Sequence, residues 1–327
     1  MHPISPKGST ALQAVGIALV ALVTVAVLLP LDLGVARTLS AAAPYVLAGL
    51  FAAGLVSIPA RQPALMKSCF IAAALMAVVL RSSVNDVTPE RPRYVAPEQT
   101  DISVAQVSTG NFGGEAPYGL DEVLDANTDI VCVQQLTPDW QEFLARELGE
   151  EFPYQYTYPD IGLQGVGLYA RHALGHVDTL RIGGVVHVEA CDAGTGATPA
   201  VDLLAVQTLP PVNSFAYYRL RGQLDALADR LAATASPIIV LGDFNSVPWS
   251  DELQDFQADT ELLDSRRSIQ STFVKGAPQL FEVPVEHIFY SRRLRCLNYE
   301  TMRSADGYLG NRATFQDKSV PTSLAGL

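Results

Sequence analysis

The segment Pro237-Ile-Ile-Val-Leu-Gly-Asp-Phe-Asn-Ser-Val-Pro-Trp249 constrains this chain more than any other. Ile238 to Leu241 is an uninterrupted apolar run of the kind that forms a strand covered on both faces. Gly242 closes the run and lets the backbone come close to a neighbour. Asp243 and Asn245 stand two residues apart, so on an extended backbone both project from one face. Burying a carboxylate and an amide together costs free energy unless something polar meets them. The plain alternative is a turn, which Asp, Asn and the following Pro248 all favour.

Further strands and helices surround this segment. Ile102 to Val107 reads as a short strand leading to Asn111. Leu120 to Ala126 looks helical, and Asp129 to Val133 is a strand ending in Gln134-Gln135. Trp140, Phe143, Leu144 and Leu148 recur at helical spacing. Gly165 to Arg171, Val185 to Glu189 and Val201 to Val206 are strand candidates, the last leading into Gln207. Tyr217 to Ala233 reads as a helix with a Leu220, Leu224, Leu227 and Leu231 stripe. Ser271-Thr-Phe273 and Val285-Glu-His-Ile-Phe-Tyr290 follow, and Ser304 to Phe315 carries Asp306.

Taken in order over about residues 102–315, these segments resemble the motifs of the endonuclease/exonuclease/phosphatase superfamily, the deoxyribonuclease I-like fold. The resemblance implies an α+β domain, a four-layer α/β/β/α sandwich over residues 101–327 with its site at one end. It also implies Mg²⁺-dependent cleavage of phosphodiesters or phosphomonoesters. In its terms Asp243 and Asn245 position the phosphate and the attacking water, and Asn111 helps to bind metal or phosphate. Gln135 stands where the family has its Mg²⁺-ligating Glu, Gln207 where it has a His, and Glu286 where it has an Asp. Asp306 takes the terminal Asp, with Gly307 or Tyr308 in place of His. A second alignment puts Asn311-Arg312 on that pair. His287 matches a position that is mainly structural.

These replacements bear directly on the chemistry. Mg²⁺ is a hard cation usually held by one or two carboxylates, and an amide at position 135 carries no formal charge. Gln207 has no proton to exchange near neutral pH. No histidine occurs after His287. The first reading is therefore a degenerate site that binds or scaffolds, with no cofactor expected. The second is a hydrolase with a rearranged site. It would hold Mg²⁺ on Asp243, Glu286, Asp306 and Glu115, and act on phospholipid head groups, small phosphoesters or nucleic acid. A third sets the resemblance aside and leaves a membrane protein with an acidic soluble domain.

The excess of apolar residues in the chain, 49% hydrophobic overall, lies near its N-terminus. Three runs, about 11–31, 39–60 and 64–82, read as transmembrane helices of an anchor over residues 1–85. A signal peptide is the competing reading of the first. Pro89, Pro92 and Pro97 mark residues 86–100 as a linker. Basic residues flank both sides of the runs, so charge does not orient them. The resemblance to anchored family members implies a multi-pass membrane protein with its soluble domain outside the cytoplasm. Small residues in the second run, from Ala41 to Gly54, suit helix packing within the anchor or in a membrane protein complex.

The whole chain has 22 basic and 34 acidic residues, of which residues 1–100 hold seven and four. The remainder carries 15 and 30, a net of −15. Such a field repels polyphosphate, so nucleic acid is not an expected partner, whereas the bilayer and a basic protein surface are. Cys69 falls in the third run, and Cys132 reads as a small hydrophobe in a strand. Cys191 and Cys296 could pair in an oxidising compartment.

Overall fold

The computed structural model describes residues 6–29, 39–83, 101–111, 123, 128–162, 164–193, 201–266, 284–304 and 307–319. The expected linker over 86–100, Ser271-Thr-Phe273, and all but Val123 of the 120–126 helix lie outside them.

Two six-stranded sheets form the domain. In chain order the strands of the first are β1 (Ile102–Ser108), β2 (Ile130–Gln134), β3 (Tyr154–Tyr158), β4 (Val166–Ala170), β11 (Leu294–Ser304) and β12 (Gly307–Asp317). Their spatial order is β11-β12-β1-β2-β4-β3. The second sheet comprises β5 (His176–Ile182), β6 (Val185–Cys191), β7 (Asp202–Gln207), β8 (Ile238–Asp243), β9 (Leu263–Asp264) and β10 (Glu286–Tyr290). Its order is β5-β6-β7-β8-β10-β9. In each sheet a central parallel pair, β1 with β2 and β7 with β8, is flanked by antiparallel partners.

Alternation along the strands builds the layers. Ile239, Leu241 and Ile288 of one sheet meet Val104, Cys132 and Leu168 of the other in the core between them. The opposite faces carry helices. Leu144 and Leu148 pack on Val131 and Val133 from a helix at Pro138–Leu148, capped by Thr137, whose hydroxyl accepts from the Trp140 amide at 3.3 Å. A helix at Ser214–Ala232 lays Leu220, Leu224, Leu227 and Leu231 on Val206 and Val240. Each such leucine contributes on the order of 1.5–3 kcal/mol of burial. The resulting order, helix, sheet, sheet, helix, is the four-layer sandwich that the resemblance implied. Cys132 is fully buried, and Cys191 and Cys296 are not joined in a disulfide.

The N-terminal third corrects the expectation of about three spans. Helices α1 (Pro6–Leu28), α2 (Ala43–Ser57) and α3 (Pro63–Ser83) do form in the three apolar runs. Among the described residues one helix, Pro63–Ser82, is long and apolar enough to cross a bilayer. The apolar parts of the other two, Gln13–Leu28 and Ala43–Ser57, fall short. Fifteen helical residues extend about 22 Å, against about 30 Å of hydrocarbon. The second run breaks at Ser57, where a turn carries the chain into α3 through Arg61 at φ 52°.

The three helices dock on the sandwich at one end. Val27, Ala43, Met76 and Leu80 share an apolar cluster with Val247 and Trp249. The Trp249 indole N–H donates to the Ser40 carbonyl at 2.7 Å. The loop that follows Asp243 and Asn245 is thereby held between the sheets and the helices.

Candidate functional site

Asp243 ends β8, so the strand runs through Gly242 rather than stopping there. Gly242 lies at φ 153°, and a Cβ there would fall 1.8 Å from the Val206 carbonyl and 2.5 Å from Gln134 Nε2. What comes close at this glycine is the neighbouring parallel strand together with the last side chain of β2, which belongs to the other sheet.

After Asp243 the backbone turns, and Asn245 takes a left-handed φ of 49°. The two side chains therefore do not share an extended face. The Asn245 amide N–H donates to Asp243 Oδ1 at 3.0 Å, an Asx-type turn. Asn245 Nδ2 donates to the Thr208 carbonyl at 3.1 Å. Gln207 lies opposite Asp243 in the parallel register, and its Nε2 faces Asp243 Oδ2 at 3.4 Å. Asp243 is 6% exposed. Burial lifts its carboxyl to about 6, against the opposing pull of the bonds from Asn245 and Gln207.

Gln135 sits just past β2, partly exposed, at φ 55°. The Thr109 hydroxyl donates to its carbonyl at 2.6 Å, and its Oε1 lies over Gly110. Gln134 is fully buried between the sheets, and its Nε2 donates to the Val206 carbonyl.

Glu286 opens β10 directly across from Asp243. It is buried, and its Oε2 accepts from the Tyr308 hydroxyl of β12. Burial, followed by the Glu286 charge, pushes the Tyr308 phenol well above its ordinary range. The buried Arg266 guanidinium donates to the Glu286 carbonyl. His287 is fully buried, with Nδ1 3.2 Å from Asp264 Oδ2 and Nε2 2.9 Å from the Ser246 carbonyl. It fixes the loop after Asn245 and takes a structural place, as expected.

Gln135, Gln207, Asp243 and Asn245 line one cavity of about 390 Å³, with Arg219 at its rim. Glu286, across from Asp243, does not line this cavity and is buried against Tyr308. The side chain of Asn111 lies outside the described residues, as do Glu115 and Asp306; the Asn111 backbone forms the short helical turn after β1. Sequence reasoning offered Tyr308 only as a substitute for His, and it missed Gln134, Arg266 and Trp249. Alternation along β2 could have placed Gln134 inward. Nothing local points to Arg266.

The described residues do not fit the Mg²⁺ site that the family implies. Both Asp243 oxygens accept from amides, the Glu286 carboxylate accepts from Tyr308, and position 135 supplies an uncharged oxygen. Among the described residues no three His, Cys, Asp or Glu side chains converge.

Solved structures share this architecture. The endonuclease/exonuclease/phosphatase from Beutenbergia cavernae matches with a TM-score of 0.53 at 14% identity, over 67% of this chain and 72% of that one. TDP2 of D. rerio, complexed with single strand DNA product, matches with 0.53 at 12% identity, over 66% and 99%. The human Nocturnin catalytic domain with bound sulfate matches with 0.51 at 14% identity, over 70% and 99%. No curated protein sequence matches this chain significantly. The profile of the endonuclease/exonuclease/phosphatase family matches residues 112–318, well over half of the sequence, and the chain belongs to that family.

Proposed function

We propose that this chain is a membrane-attached member of the family whose site binds a ligand and does not perform metal-dependent hydrolysis. The observation that carries the reading is the surroundings of Asp243. Where a hard cation needs free anionic oxygens, the carboxylate faces the Asn245 and Gln207 amides, and Gln135 stands at the position of the ligand Glu. The cavity's other walls combine the amides of Gln135 and Gln164 with apolar side chains such as Leu209, Val212 and Phe215, and Arg219. Tyr308 stands near the missing terminal His, and a phenol raised by burial cannot serve as a base at neutral pH.

Membrane attachment is supported by the Pro63–Ser82 helix and by the large apolar side chains that α1 and α3 turn outward, among them Leu19, Leu22, Ile71 and Val78. We place the domain on the extracytoplasmic face, following the resemblance to anchored family members. The bilayer is then one partner and a membrane protein complex another. The acidic domain disfavours nucleic acid. Calorimetric titration with Mg²⁺ and Mn²⁺ tests the reading. No saturable binding at millimolar metal is expected; a one-site isotherm abolished by Asp243→Ala would overturn it.

One observation favours the second reading. Glu286 and Asp243 face each other in register across β10 and β8, two carboxylates at one end of the sandwich. A rearranged phosphoesterase would hold Mg²⁺ between them with help from Asp306 or Glu115, and the isotherm just named would be its signature.

A further inference from the structure

Gln207 is 4% exposed, and its Oε1 has no hydrogen-bond partner. Its orientation is fixed by the other end of the amide. Nε2 faces the Thr208 carbonyl at 3.3 Å and Asp243 Oδ2 at 3.4 Å, so exchanging oxygen and nitrogen would set an acceptor against two acceptors. Oε1 therefore needs a donor, and the open space beside Gln207 is the cavity it shares with Asp243 and Asn245. An ionised phosphodiester has no proton to donate there. A hydroxyl group has one.

A second space adjoins this one at Asn245, which lines both. It is a cleft of about 200 Å³ between the helices and the sandwich. Val27, Met76 and Leu80 form its apolar wall, and Ser250 and Glu252 lie on the opposite side. The Ser250 hydroxyl is buried and unpartnered. Among the described residues no Lys or Arg lines the cleft, while Asp251 and Glu252 do, so an anionic group is repelled there; Arg219 lines the adjoining cavity, beside the Asp243 carboxylate.

We propose that cavity and cleft form one site for an amphiphile with an uncharged, hydroxyl-rich head group, such as a glycosyl lipid. Its head donates to Gln207 Oε1 and to Asp243, and its apolar part lies along Val27, Met76 and Leu80. The cleft is lined by the N-terminal helices, the part of the chain proposed to meet the bilayer, where such an amphiphile would arrive. The inference rests on the reading of the site as a binding site, and it replaces phosphate with hydroxyl as what the site recognises.

The test uses the full chain in phosphatidylcholine nanodiscs, with Trp140→Phe so that Trp249 in the cleft reports alone. Nanodiscs are doped with monoglucosyl diacylglycerol or with phosphatidic acid of the same acyl chains, and free glucose is titrated separately. The expected result is a saturable change in Trp249 emission with the glucosyl lipid, at least tenfold tighter than with phosphatidic acid or glucose. Gln207→Leu should weaken it at least fivefold. Ser250→Ala, on a partly exposed loop, should weaken it two- to threefold without disturbing the fold. Equal or tighter response to phosphatidic acid overturns the proposal, as does no response to the glucosyl lipid, or unchanged affinity in both variants. Hydrolysis of bis-p-nitrophenyl phosphate with Mg²⁺ is followed in the same samples. Turnover there overturns the non-hydrolytic reading, whereas no turnover and no lipid binding overturns this inference alone.

Discussion

The hydroxyl of Tyr308, on β12 of one sheet, donates to the carboxylate of Glu286, on β10 of the other, and both side chains are buried. The bond ties the two sheets together at the end of the sandwich that holds Asp243. A hydrogen bond to a charged group in a low-dielectric interior is worth more than one in water.

Tyr308→Phe should therefore destabilise the protein by about 1.5–3 kcal/mol. Tyr218→Phe, at a residue 59% exposed, should change stability by less than about 0.5 kcal/mol. Urea denaturation of the full chain in detergent compares the two. Equal effects would show that the inter-sheet bond contributes nothing.

Asp243 makes stability depend on pH. Its folded-state value of about 6 lies above the ordinary carboxylate value of 3.8. Between those values the folded protein holds the proton that the unfolded chain has released, so stability falls as pH rises through the window. Above about pH 6 the full cost is present, about 3 kcal/mol from the size of the shift. Asp243→Asn removes the titration. Its stability relative to the wild type should rise by roughly that amount between pH 4 and pH 7. A difference that is flat with pH, or that runs the other way, would place the carboxyl in a more polar setting.

Gln135→Glu adds a carboxylate where the resemblance puts the family's metal-ligating Glu but should not confer phosphoesterase activity. Tyr308 is bonded to Glu286, and the neighbouring histidine, His287, is fully buried and engaged by Asp264 and the Ser246 carbonyl, so it is not free to move a proton in the cavity. Hydrolysis of plasmid DNA in Mg²⁺ by this single variant, clearly above a no-enzyme control, would contradict the account of the site.

Gly242→Ala should be strongly destabilising, by more than about 3 kcal/mol. A methyl group would overlap the Val206 carbonyl at 1.8 Å, and a backbone oxygen paired in a parallel sheet cannot move aside. Gly222→Ala, where a Cβ meets nothing within 4 Å in the Ser214–Ala232 helix, should be neutral or slightly stabilising. Thermal unfolding monitored by circular dichroism separates the two. Similar melting temperatures would mean that β7 and β8 can part at this point.

The legible part of this protein was its periodic part. The leucine stripe on the Ser214–Ala232 helix, the apolar run of β8 and the amphipathic 138–148 helix each advertise one buried face, because burial is decided by spacing along a single element. The order of the motifs carried the family and hence the sandwich. Local pattern overreached in the N-terminal third. Three apolar runs looked like spans, yet turns on both sides cut Ala43–Ser57 short, the apolar stretch of the first helix covers only Gln13–Leu28, and hydropathy does not measure where a helix stops.

The site divided along the same line. The sequence by itself determined that Asp243 and Asn245 would stand close together and that positions 135 and 207 would carry uncharged amides. Tertiary structure alone decided what surrounds them. The Gln207–Asp243 contact follows from parallel register, the Tyr308–Glu286 bond spans two sheets, and Arg266 reaches the Glu286 backbone from 20 residues away. Trp249 meets Ser40 across 209 residues. Such pairings depend on how whole elements stack, and no window of neighbouring residues contains the distance between two sheets.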